Sequence, residues 1–206
     1  TYLGSARRLH NWVALDSSDL LGIGTHLKYY IEEGGQFNDI TPNRVTTSVG
    51  DVTFAATNGS TTLTVTDTAH GANVNDFVTF SGAVSLGGLI TATVLNIEYQ
   101  ITSIISSNTY TVTSSVAANG SDTGNGTFTD ATCDYNNDPT ITMDSTASLI
   151  EGTTVSGTGI PAGATVSSIT DSTNFELSAS TTGGSVTNGT LTFNNSKAVY
   201  QINTGT

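Results

Sequence analysis

The side chains that could serve as bases or nucleophiles are His10, His26, His70 and Cys133. Acyl transfer needs a Ser or Cys beside a base, and an acid that orients the base. His10 and His26 fall within alternating strand patterns, and His70 lies in the turn Thr68-Ala69-His70-Gly71. No Gly-x-Ser-x-Gly elbow leads into a helix. Cys133 is the single cysteine, so it can form neither an intrachain disulfide nor a cysteine-based zinc site; it reads as a small packed hydrophobe. Asp67, Asp76, Asp122, Asp130 and Asp171 are spread one per turn or strand end, as solvation requires, and do not suggest a glycosidase pair. The expectation is a chain with no cofactor that is not an enzyme.

Binding chemistry has a few candidates. Asp134-Tyr135-Asn136-Asn137-Asp138 puts oxygens at positions 1, 3 and 5 of a calcium loop, but Pro139 stands at the sixth-position glycine and Ser145 at the bidentate glutamate. A polar connector is the competing reading. Neither Gly22-Ile23-Gly24 nor Gly183-Gly184 precedes a lysine-bearing helix, so no phosphate cradle is expected. Arg7 and Arg8 near Trp12 suit a subunit contact or a solvated face. Tyr99 and Tyr135 are candidate stacking surfaces for a receptor or glycan, whereas Tyr110 and Phe175 occupy equivalent repeat positions and read as core.

The elements that would position these groups are strands. Hydrophobic residues make up 36% and charged residues 11%, both low, with Thr, Ser, Gly and Asn filling the difference. Val, Ile and Thr alternate with polar residues, so the polar content reads as solvated strand faces rather than disorder. The net charge is −12, and Arg7, Arg8, Lys28 and Arg44 leave only Lys197 as a cation beyond residue 44. So acidic a surface repels phosphate backbones, and nucleic acid is expected only in passage through a channel, if at all. No apolar run is long enough to span a membrane as a helix. The start at Thr1 without Met and the Thr204-Gly205-Thr206 end read as cuts through a longer polypeptide.

The fold class expected is all-β, an antiparallel propeller-blade-like meander plus two repeated small sandwich or barrel modules. Residues 1–44 with 194–206 form the platform, 45–125 the first module and 126–193 the second. In the platform, strand signals at 9–15, 20–25, 26–31 and 36–40 are separated by Asp16-Ser17-Ser18-Asp19 and Glu32-Glu33-Gly34-Gly35. A helix over 27–33 competes, but the flanking glycines favour strand. Trp12, Leu15, Tyr29, Tyr30, Phe37 and Ile40, with Leu21 and Ile23, are the expected core and assembly residues.

The repeat is carried by Gln100–Ser114 against Thr165–Ala179, by Thr62–Asp67 against Thr140–Asp144, and by Val74–Gly82 against Ile150–Gly157. An insertion around Ala83–Glu98 lengthens the first copy. Asn58-Gly59, Asn119-Gly120, Asn125-Gly126 and Asn188-Gly189 mark turns. Lys197–Asn203 is one more strand, expected to return to the N-terminal sheet.

The stretch Leu20–Pro42 resembles tail nozzle or tubular-tail hub proteins of short-tailed bacteriophages, and Ala198–Gly205 resembles the same group. Val155-Ser156-Gly157-Thr158-Gly159-Ile160-Pro161-Ala162-Gly163 is similar to Ig-like or barrel modules of phage virion and bacterial surface proteins. The resemblance implies a virion structural protein: a homo-oligomeric ring around the DNA exit channel, in contact with other virion proteins, with inserted modules facing outward. The alternative is a receptor- or glycan-binding module of a phage or bacterial surface protein.

Overall fold

The computed structural model describes residues 1–201. Strands β1 (Ala6–Val13), β2 (Asp19–Thr25), β3 (Tyr29–Glu33) and β4 (Gln36–Asp39) form a four-stranded antiparallel sheet in chain order. Gly34 and Gly35 both take positive φ (57° and 90°), as the two-residue turn between β3 and β4 demands. The segment that might have been helical is strand β3 from Tyr29 onward.

The chain continues through β5 (Asn43–Thr46), β6 (Val52–Ala56), β7 (Thr62–Asp67), β8 (Phe77–Ser81), the one-turn helix α1 (Ala92–Leu95), β9 (Glu98–Ser106), β10 (Thr109–Thr113) and β11 (Thr123–Gly124). Next come β12 (Gly126–Asn136), β13 (Thr140–Thr142), β14 (Thr154–Gly157), β15 (Val166–Ile169), β16 (Asn174–Leu177), β17 (Ser185–Asn195) and β18 (Lys197–Gln201). The first module is a sheet in the order β11-β6-β7-β10-β9-β8-β18-β5, and the second is β14-β17-β12-β13-β16-β15. A bridge between Thr154 and Thr165 joins the two ends of the second sheet. Such closure leaves no free edge there.

Burial follows the two-residue period. In β6, Val52, Phe54 and Ala56 point inward, in β7 Leu63 and Val65, and in β10 Tyr110 and Val112. These side chains and Phe80, Ile101 and Tyr200 make the first core; Cys133, Ile141, Val155, Phe175, Leu191 and Phe193 anchor the second. Each fully buried side chain of this size contributes roughly 1.5–3 kcal/mol. The equivalent repeat residues Tyr110 and Phe175 are both completely buried.

The tail strand does not join the N-terminal sheet. β18 lies between β8 and β5, inside the first module. The two modules then match strand for strand: β6, β7, β10, β9, β8, β18 and β5 correspond to the second half of β12, β13, β16, β15, β14, the second half of β17 and the first half of β12. β11 pairs with β6 just as the first half of β17 pairs with the second half of β12. The closing strand of the first module is therefore split into β11 and β18. The second module is inserted at the break, with its ends Gly126 and Asn195 paired to each other. A C-terminal strand that belongs to the first core must cross the whole second module in sequence, which local patterning does not encode.

Candidate functional site

β1 is exposed at Ala6 through Asn11 and again at Val13, including the apolar Leu9 and Val13. Within the described residues its only strand partner is β2. Cross-strand register places Trp12, His10 and Arg8 on one face of the sheet with Leu20, Gly22, Gly24 and Tyr29. Residues directly opposite one another project from the same side.

On that face the His10 and Trp12 rings stack at 5.8 Å. Gly22 makes room for them: a Cβ there would lie 3.2 Å from Trp12 Cζ3. The Tyr29 ring lies beside Gly24. Arg8, His10, Tyr29 and Ile40 border a shallow cleft of about 230 Å³ over these glycines. Flat rings over a glycine floor present an apolar platform, and Arg8 places a cation at its border. On the opposite face Tyr2 packs on Tyr30 and Phe37, with centroids at 6.1 and 5.3 Å.

The residues expected to act as core separate by position. Tyr30 is buried, and Ile23 with it; Trp12, Leu21 and Phe37 are half-buried. Tyr29 and Ile40 are exposed, and Leu15, in the β1–β2 turn, is fully exposed. A single sheet layer has too little covering mass to bury both of its faces.

One buried group ties this sheet to the first module. Lys28 Nζ is 2.6 Å from both Asp39 Oδ2 and Glu98 Oε2, and sits 4.5 Å over the Phe77 ring. Burial pulls the ammonium pKa down, but the hydrogen bonds and charges of the two carboxylates more than offset it, leaving it above 10.5. Burial raises the Asp39 carboxyl, and the bonds from Lys28 and Thr41 overcome that, leaving it below 3.8.

The remaining chemical candidates serve the fold. Tyr99 and Tyr135 are buried, so neither offers a stacking face to a ligand; their hydroxyls donate to the carbonyls of Val94 and Thr158. His26 Nδ1 accepts from Ser5 N–H, and His70 Nδ1 from Ala72 N–H. Burial, then the charge of Asp130, pushes the Cys133 thiol up to about 12. In the calcium-like segment, Asp134 Oδ1 accepts from Asn188 N–H, and Asn137, at φ 57°, accepts from Gly184 N–H. These two oxygens accept from backbone N–H groups across the β12–β17 side of the module, and no group of three or more His, Cys, Asp or Glu side chains able to hold a metal ion occurs among the described residues. Among the described residues no helix is long and apolar enough to cross a membrane.

No known family model matches the chain, and no curated protein matches it. Among solved structures, an endosialidase of phage phi92 aligns with 21% identity over 59% of this chain and 20% of that chain, with a TM-score of 0.28. The chain thus spans about a fifth of that protein, and so low a score carries no argument about role.

Proposed function

We propose that this chain is a structural component of a phage tail, of nozzle or hub type, that assembles through its N-terminal sheet and displays two β modules. The supporting observation is the exposed sheet itself: β1 keeps Leu9 and Val13 in solvent, and Leu3, Leu15, Tyr29 and Ile40 add exposed apolar surface around it. Two edges and a thin layer make a poor independent unit and a good joint. The segment resembling tail proteins, residues 20–42, includes β2, β3 and β4 of this same sheet. Residues 202–205 of the second resembling stretch lie outside the described residues. The test is light scattering and negative-stain imaging of the purified chain. A discrete closed particle of several copies is expected; a monomer at every concentration up to the millimolar range rejects the reading.

The second reading is receptor or glycan recognition. What favours it is the His10–Trp12 stack beside exposed Tyr29 and Arg8, since flat apolar rings with a nearby donor suit a sugar face. A glycan array probed with the chain and with Trp12→Ala discriminates the two: saturable binding lost in the variant supports recognition.

A further inference from the structure

We propose that β1 of one copy pairs with β4 of the next, extending the meander from copy to copy as a continuous antiparallel sheet. The proposal rests on the assembly reading above and names its contact.

The second module joins its end strands, but among the described residues the N-terminal sheet leaves two edges open, β1 and β4. Neither strand contains proline. A β1 edge with Arg7 and Arg8 has no carboxylate within ion-pair distance among the described residues. In a chain of net charge −12 it is the one strand with two adjacent cations. Behind the other edge lie two carboxylates without a cation at ion-pair distance among the described residues, Glu32 and Glu33 on β3, while the one acid on β4 itself, Asp39, already holds Lys28. Copies of so acidic a chain repel one another in most orientations. A β1–β1 contact sets arginines against arginines, and a β4–β4 contact brings the Glu32 and Glu33 carboxylates of two copies toward each other from one strand behind. Only the head-to-tail contact joins opposite signs, and a heterologous contact of this kind repeats into a ring or a filament.

Directions and levels agree. β1 and β4 run antiparallel within one sheet, so a translated copy presents the correct polarity. The register Leu9–Ile23–Tyr30–Asp39 sets one level across the sheet, and Arg8–Gly24–Tyr29 the next, where Ile40 N–H donates to the Tyr29 carbonyl. Without stagger, Arg8 of one copy lies opposite Ile40 of its neighbour and Leu9 opposite Asp39. Exposed Leu9 and Ile40 gain cover together.

The test is a cysteine pair. Within one copy Arg8 and Ile40 are separated by three strand spacings, about 14 Å, too far for an intrachain disulfide. Cys133 is buried with its thiol pushed up, so it does not compete. Oxidising the Arg8→Cys/Ile40→Cys chain should give a ladder beyond the dimer on a non-reducing gel, and an equal mixture of the two single variants should stop at the dimer. Arg8→Cys/Asn38→Cys and His10→Cys/Ile40→Cys cover a slip of two residues either way and guard against one variant misfolding. A wild-type oligomer with no ladder from any pair overturns the edge contact and leaves the assembly reading standing. A wild-type monomer overturns both.

Discussion

The Tyr200 hydroxyl donates to Asp67 Oδ2 at 2.5 Å, across 133 residues of sequence. Tyr110 meets the same hydroxyl at 2.8 Å, and the Arg44 guanidinium lies 5.7 Å from the Tyr200 ring centre. Asp67 is buried, and burial holds its carboxyl above 3.8 although the Tyr200 bond pulls it down. This network fastens β18 to the first core.

Tyr200→Phe removes one hydroxyl and strands a buried carboxylate and the Tyr110 hydroxyl. The expected cost is about 1–3 kcal/mol, read by denaturant unfolding of the first module. Asp67 adds a pH signature. Its folded pKa is raised, so its contribution is present below 3.8 and is lost as pH rises through the folded value. Loss of the Tyr200 bond should raise that pKa further, so the variant should lose more stability than wild type on going from mildly acid to neutral pH. An unchanged midpoint at neutral pH contradicts the role given to this bond.

Lys28→Met leaves Asp39 and Glu98 facing each other and should cost about 1–3 kcal/mol, at the low end for a buried pair because both acids are a third exposed. The lysine pKa is raised, so its contribution is complete below 10.5 and is lost as pH rises through the folded value. The Asp39 pKa is lowered, so its contribution is present above 3.8 and fades as pH falls through the folded value. The difference between wild type and variant should therefore be a plateau that narrows at both extremes. Thermal melts across pH measure it, and a difference that is flat at the extremes goes against the ion triad.

Trp12→Ala truncates a half-buried ring, so it should cost about 1 kcal/mol, well below the 3–5 of a fully buried aromatic. Assembly should suffer far more than stability. Parallel melts and light scattering separate the two, and a large loss of stability in a monomeric sample assigns Trp12 to the core instead.

Cys133 should stay unlabelled by a thiol reagent at pH 8 until the second module opens, because burial disfavours the thiolate. Labelling should follow unfolding. Immediate stoichiometric reaction with the native chain contradicts the buried position.

The β class and the repeat were legible because period-two alternation is local: Phe54, Leu63, Val65, Tyr110 and Phe175 all fall where that pattern puts the core. The same pattern held the correction for Tyr99 and Tyr135. Tyr99 shares its face with Ile101, and Tyr135 with Cys133, each flanked by polar neighbours. Leu9 and Val13 show the limit: they sit on one face of a strand, yet among the described residues no second layer covers them. The pairing of β18 with β5 and β8 had no local signal at all.

The split strand of the first module also dictates an order of events on the ribosome. β6 to β10 emerge early but lack β18, so Tyr110 and Asp67 wait, with their polar partner missing, while some seventy residues of another domain follow. The inserted domain can close first, since Gly126 and Asn195 bring its own ends together. Only then can Tyr200 arrive and seal the older half, so a released chain truncated before Lys197 should carry one finished domain inside an unfinished one.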